Sequence, residues 1–164
     1  MNKKKTLMII LGGGGHTKQL LKLVKQLGKS FDYEYVLASD DSLSEKKIEI
    51  KGRVFRIYNP RNMEDRNLAK VILKFVPSAI QTLIMLFRSN AECIIAAGPA
   101  ISLHTAWLGK FLFRKKVIFL ESWSRVYIKS LAGRLTYSFA DLFFVQWKNE
   151  LKNYPKAVYA GRLG

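Results

Sequence analysis

The chain has 164 residues, of which 49% are hydrophobic; this suits one domain with a buried core and excludes two nucleotide-binding-type domains in one chain. Lys and Arg number 28 against 12 Asp and Glu, a formal net charge of +16, so we expect an anionic partner such as a phosphorylated substrate or an anionic membrane surface. Most aromatic residues lie inside apolar runs instead of alternating with basic ones, which argues against nucleic acid as the partner.

Cysteine content and apolar stretches bear on the compartment. Cys93 is the single cysteine, so no disulfide forms within the chain and we expect a reducing compartment. No run reaches the roughly 20 apolar residues of a transmembrane helix, and the apolar run at residues 7–11 is shorter than the roughly 7–15 residues that a signal sequence needs. We therefore expect a peripheral protein on the cytoplasmic face of a membrane.

The predicted elements begin with an apolar strand at residues 6–11, a run of glycines and an amphipathic helix at 16–27. Further strands are predicted at 33–38, 51–58, 91–97, 116–121, 142–145 and 157–159. Further helices are predicted at 68–87, 102–113 and 131–139. Strands that alternate with helices indicate a parallel sheet, so residues 1–164 are predicted to form a single α/β domain with a Rossmann-like, doubly wound sheet.

The predicted helix at residues 68–87 allows two interpretations. Its polar residues recur at helical spacing in a narrow stripe, its remaining surface is apolar, and Pro77 is expected to kink it. The helix is either buried deep against the sheet or exposes a face that dips into lipid, with basic side chains at the headgroups. The width of the apolar face favours an external apolar partner. The candidate membrane residues are Lys70, Lys74, Phe75, Ile80, Ile84 and Phe87.

The glycine run at residues 12–15 is the main motif. Glycines between a strand and a helix let the backbone approach a ligand, and the helix start favours an anion. A P-loop is excluded because His16 stands where that motif needs Lys. The dinucleotide fingerprint also fails, since its third glycine would fall on Thr17 or Lys18. Asp40, placed like a ribose-binding acid, keeps a dinucleotide-binding oxidoreductase as a minor alternative.

His16 is the distinctive residue of this loop. It follows the glycines directly, at the sheet edge where doubly wound folds bind ligands. A histidine there can accept a proton from an attacking hydroxyl, although it can also cap the helix or bind phosphate. The other histidine, His104, lies in an apolar run and is expected to be structural.

Several segments resemble a known family. The sequence LGGGGHTKQL at residues 11–20 resembles the first loop of GT-B glycosyltransferases, above all the lipid-linked GlcNAc transferase of peptidoglycan synthesis. A closer resemblance is to the membrane-recruiting subunit of the dolichol-linked UDP-GlcNAc transferase and its bacterial capsule and exopolysaccharide counterparts. The supporting segments are Ala97-Gly98-Pro99, ESWSR at 121–125, GRLTY at 133–137, and the stretch from Asp141 through Gln146-Trp147 and Tyr154-Pro155 to YAG at 159–161.

The resemblance implies the amino-terminal, acceptor-side half of an inverting GT-B glycosyltransferase, without cofactor or metal. A separate donor-binding chain would complete the enzyme, and this chain would bind a polyprenyl-pyrophosphate acceptor and recruit its partner to the membrane. His16 would be the general base, with Glu121 as the alternative base or as a residue that orients a sugar hydroxyl. The implied substrate-binding residues are Gly12, Gly13, Gly14, Gly15, Thr17, Gly98, Pro99 and Arg125, with Arg61 and Arg66 as further phosphate contacts. A non-catalytic membrane scaffold that enhances the partner is the competing function.

Overall fold

The computed structural model describes residues 4–59, 68–98 and 100–163, with residues 68–74 and 100 described by backbone alone. Within this part, six strands form one parallel sheet in the order β3-β2-β1-β4-β5-β6. The strands are β1 Thr6–Leu11, β2 Asp32–Ala38, β3 Arg53–Ile57, β4 Cys93–Ala97, β5 Lys116–Leu120 and β6 Leu142–Phe144. The helices are α1 Gly14–Leu27, α2 Ser42–Glu45, α3 Leu68–Arg88, α4 Ala100–Phe111 and α5 Leu131–Thr136, with 3₁₀ turns at Gly28–Ser30 and Lys148–Lys152.

The sheet is buried on both faces because side chains alternate along each strand. In β1, Met8 and Ile10 join the core beneath α3, α4 and α5, while Ile9 and Leu11 pack on the opposite face, where α1 contributes Leu20. Helices on both faces of a parallel sheet confirm the predicted doubly wound, Rossmann-like architecture. The chain reverses its winding between β1 and β4, so the carboxyl ends of these strands form the expected ligand edge.

Two predicted boundaries differ from the structure in ways that matter. Helix α1 begins at Gly14 instead of His16, so two glycines and the histidine share its first turn. The predicted strand at 157–159 is reduced to an isolated bridge between Val158 and Phe144.

Cys93 is half-buried, and burial raises the pKa of its thiol to about 11, as expected for an unreactive side chain.

Helix α3 runs through Pro77 and buries polar as well as apolar side chains. Ser78, from the predicted polar stripe, is buried and donates to the carbonyl of Tyr58, and Gln81 accepts from the Tyr58 amide. Ser78 and Thr82 also contact Nε2 of His104, at 3.3 and 3.0 Å, so His104 is structural, as expected. Ser78 and Thr82 therefore face the protein, where their hydroxyls contact His104 of α4, whereas Gln81 is exposed although it accepts from Tyr58.

One apolar stripe of α3 points outward, while Met85 and Leu86 of the same helix pack in the core. The exposed side chains recur every three or four residues along the helix: Val76, Ile80, Ile84 and Phe87. Phe87 is 84% exposed, whereas Phe75 is partly buried against the His104 ring. No described helix has the length and apolar character needed to cross a membrane.

Candidate active site

The glycine loop connects β1 to α1 at the point where the winding of the sheet reverses. Gly13 and Gly14 have φ angles of +81° and +55°, which side-chain-bearing residues rarely adopt, and this allows the tight entry into α1. The loop is held by the Gly13 amide, which donates to the hydroxyl of Thr17 at 3.0 Å. The first turn of α1 thus presents its amide groups and dipole at the ligand edge.

His16 packs against Gly98, which follows β4. Gly98 has a φ of +76°, and a Cβ at this position would collide with the imidazole ring. Glycine is therefore required both by the backbone conformation and by the close approach of the ring. The structure brings these two predicted site residues together from segments that are 82 positions apart.

The surroundings of His16 favour the neutral imidazole. Burial is the main cause of a lowered pKa; Glu121 raises this pKa and Arg125 lowers it further. Nδ1 is buried and has no hydrogen-bond partner among the described residues. A neutral imidazole at pH 7 can accept a proton, as general-base chemistry requires.

Thr17 does not face the ligand edge, although it was expected to bind substrate. Its side chain is fully buried, and its hydroxyl accepts from Gly13 and contacts the Ser44 hydroxyl at 3.2 Å. The Thr17 hydroxyl makes both of these interactions inside the protein, so its role is to shape the glycine loop.

Glu121 follows β5, near the predicted position, but its side chain turns inward and is 1% exposed. Its carboxylate accepts hydrogen bonds from Tyr154, Ser130 and Ser122. A carboxylate with these internal partners has no exposed oxygen to offer a sugar hydroxyl, so the expectation that it reaches the cleft is corrected. Of the two candidate bases, only His16 has its side chain beside the glycine loop at the ligand edge without a hydrogen-bond partner on Nδ1 among the described residues.

A loop at residues 122–130 lies beside the glycine loop. Nε1 of Trp123 lies 3.6 Å from the position that a Cβ on Gly15 would occupy, and the Lys22 ammonium lies 5.6 Å from the indole ring centre. Arg125 is carried by the same loop and acts electrostatically on His16. Arg125 on this loop and Lys22 on α1 make the mouth of the site cationic, which suits a pyrophosphate.

A basic cavity of about 590 Å³ lies along the outer side of α1. Its basic and glycine lining includes Gly14, Gly15, Lys18, Lys22, Lys25 and Lys47. His16 does not line this cavity, so the glycine loop separates a basic groove from the histidine side of the site.

Some predicted residues cannot be placed. Pro99, Arg61 and Arg66 lie outside the described residues, as do the side chains of Lys70 and Lys74. Within the described part of the chain, no three His, Cys, Asp or Glu side chains cluster as metal ligands do.

Sequence reasoning missed the buried polar residues that join the loops. The Gln19 amide donates to the backbone carbonyl of Glu121 at 2.8 Å and ties α1 to the end of β5. Tyr154 donates to the Glu121 carboxylate, and Trp147 donates to the Trp123 carbonyl. A glutamine on the apolar face of a predicted helix was the one local signal, since buried polar groups need partners.

Known proteins are similar to this chain in sequence. The family model described as "Oligosaccharide biosynthesis protein Alg14 like" matches residues 7–163. The "UDP-N-acetylglucosamine transferase subunit ALG14" of Mus musculus is 31% identical over 96% of this chain and 82% of its own length. The subunit of the same name from Schizosaccharomyces pombe is 29% identical over 96% of this chain and 83% of its own length.

Solved structures match at lower identity. MurG of Acinetobacter baumannii superposes with a TM-score of 0.71 and 11% identity, over 98% of this chain and 44% of MurG. The UDP-N-acetylglucosamine 2-epimerase of Rickettsia bellii gives a TM-score of 0.72 and 13% identity, over 98% of this chain and 46% of the epimerase. The chain thus spans somewhat less than half the length of these structures, and its fold is that of the amino-terminal half of a GT-B enzyme. With the family model covering nearly all of it, the chain belongs to the Alg14-like oligosaccharide biosynthesis family.

Proposed function

We propose that this chain, a glycosyltransferase subunit by family, is the acceptor-side half of a two-chain inverting enzyme. The donor-binding half would be a separate chain that closes over the carboxyl edge of the sheet and brings a UDP-sugar, UDP-N-acetylglucosamine being the donor named for the relatives. The acceptor would be a sugar linked to polyprenyl pyrophosphate. The family supports this division, since its relatives are named as subunits of a UDP-N-acetylglucosamine transferase.

His16 would act as the general base. As the acceptor hydroxyl attacks the anomeric carbon, its proton passes to the imidazole, the new glycosidic bond forms, and the bond to the leaving nucleoside diphosphate breaks. The observation that carries this role is the placement of His16 at the ligand edge, packed on Gly98, with its pKa lowered mainly by burial. The alternative roles, a helix cap or a phosphate ligand, do not need a neutral imidazole.

The acceptor pyrophosphate would lie against the first turn of α1. The amides of Gly14 and Gly15 start this helix, and Arg125 adds a positive charge nearby. Together these groups offer oriented N–H donors and a cation to an anion, as phosphate sites do. Gly12 and Gly13 would supply the room for this close approach.

The exposed face of α3 would hold the subunit on the cytoplasmic surface of a membrane. Ile80, Ile84 and Phe87 are each about half exposed or more, and Arg88 ends the helix on its exposed side. An apolar stripe with a basic terminus suits insertion at the headgroup boundary of anionic lipid.

Separate purification of the two chains tests the division of labour. Transfer from a set of UDP-sugars that includes UDP-N-acetylglucosamine to a polyprenyl-pyrophosphate-linked sugar is measured with each chain alone and with the mixture. We expect turnover only in the mixture, because each chain contributes one wall of the cleft. Substantial turnover by the partner alone, merely increased by this chain, would favour the scaffold function instead.

A further inference from the structure

The loop at residues 122–130 is fastened at both ends by one carboxylate. Oε1 of Glu121 accepts from the Ser122 amide at 2.9 Å, where the loop begins. Oε2 accepts from the hydroxyl and the amide of Ser130, at 3.0 and 3.4 Å, where the loop ends. The loop itself contains neither helix nor strand. Trp147 and Asn153 donate to the carbonyls of Trp123 and Tyr127 in its middle, and the Glu121 carboxylate holds its two ends.

The carboxylate is held in turn by a buried pocket. The Tyr154 hydroxyl donates to Oε2 at 2.8 Å, and Tyr154 is only 1% exposed. A Cβ on Gly133 would collide with the same oxygen, so α5 passes too close for any larger residue. Because the carboxylate is buried and hydrogen-bonded on both oxygens, its position is fixed by residues far from it in sequence.

The fastened loop carries side chains that reach the glycine loop. Trp123 lies over Gly15, and Arg125 acts on His16. Gln19 connects the carbonyl of Glu121 to α1, the helix that holds His16. Any displacement of the loop would therefore move its tryptophan and arginine away from the site.

We propose that Glu121 is a positioning residue, whose buried carboxylate fastens loop 122–130 and so holds Trp123 and Arg125 at the mouth of the glycine loop beside His16. This inference rests on the proposed function insofar as His16 is the base. Glu121 itself does not touch the reacting atoms, because its oxygens are occupied within the protein.

The pKa of His16 gives a second test of the positioning role, because a purely structural role of Glu121 would not change it. Among the described residues, Glu121 and Arg125 are the charged groups that act on the pKa of His16, in opposite directions. Tyr154→Phe removes one bond to the carboxylate but keeps its charge. If this frees the loop, Arg125 withdraws, and the pKa of His16 should rise towards its usual value.

Limited trypsin digestion of the full chain tests the fastening without any activity assay. Arg125 and Lys129 are cleavage sites inside the loop. We expect at least fivefold faster cleavage at these two sites in Tyr154→Phe and Glu121→Gln. Tyr137→Phe is the matched control, since Tyr137 packs 5.0 Å from Tyr154 but its hydroxyl accepts from the Lys156 amide instead. Unchanged loop cleavage in both test variants, or equal acceleration in the control, would overturn the proposal.

The pH dependence of kcat/KM in the two-chain enzyme supplies the second arm. In Tyr154→Phe the fall of kcat/KM on the acidic side of the profile, the acidic limb, should move to higher pH, because the pKa of His16 rises. Tyr137→Phe should leave this limb in place. In Glu121→Gln an acidic limb should persist, because the base is still present. Loss of that limb together with a fall in kcat of about 10²-fold or more would make Glu121 the base and refute its positioning role. Full activity of His16→Ala would refute the proposed role of His16 as the base. The trypsin result would still show whether Glu121 holds the loop.

Discussion

Gly98 and His16 couple the end of β4 to the start of α1. Gly98 needs a positive φ and also leaves space for the imidazole ring. A methyl group at this position would add backbone strain of about 1–2 kcal/mol and displace the ring. Gly28 allows the two effects to be separated, because a methyl group there would add backbone strain without a collision.

Gly98→Ala should lower kcat of the two-chain enzyme at least tenfold, since the displaced imidazole no longer meets the acceptor hydroxyl. Gly28→Ala is the matched control, because Gly28 has a φ of +63° with no atom within 4 Å of the added Cβ. We expect both variants to lose stability in thermal unfolding, Gly98→Ala the more because of the displaced ring, and only Gly98→Ala to lose turnover. A comparable fall in turnover in both would show that backbone strain, not the ring, is responsible.

The sequence predicted the position of His16 but not the surroundings of Glu121. Adjacent glycines and a following helix are local signals, so the site edge could be placed from residues 11–20. The burial of Glu121 depends on Tyr154, which lies 33 positions away and is brought near only by the fold. Residue type and spacing therefore indicated a cleft carboxylate where the structure has an internal one.

Helix α3 shows the same limit at the scale of an element. Its position in the chain was predicted, and the wide apolar surface indicated an external partner. The burial of Ser78 within the polar stripe was not predictable, because its partners Tyr58 and His104 lie elsewhere in the chain. The exposed apolar face is consequently larger than a buried crossover helix would leave.

Phe87→Ser should weaken binding to vesicles that contain phosphatidylglycerol by at least about fivefold. Burial of a phenylalanine side chain in an apolar phase is worth about 1.5–3 kcal/mol. Leu43→Ser is the matched control, since Leu43 is 69% exposed on the short α2 and outside the α3 face. Cosedimentation with the vesicles measures both. Equal binding of wild type and Phe87→Ser would count against α3 as the membrane contact.

At the scale of the whole molecule, the carboxyl edge of the sheet carries Arg125 and a histidine whose pKa is lowered mainly by burial, and the fold matches the amino-terminal half of GT-B structures. Length and charge predict a single domain with an anionic partner, because both predictions follow from composition; the anionic partner stays a prediction. The assembly with a donor-binding chain is a proposal that composition cannot predict, because it depends on which other protein contacts the site.

The most direct measurement is the pH profile of kcat/KM for the two-chain enzyme with wild-type chain and with His16→Ala, while binding of the partner is followed in parallel. Wild-type activity should fall on the acidic side with an apparent pKa below 6.5, the usual histidine value, because burial disfavours the imidazolium form. His16→Ala should bind the partner normally, lose about 10²–10⁴-fold in turnover and lack this acidic limb. Partner binding and turnover that both survive the substitution would contradict the role of His16 as the base.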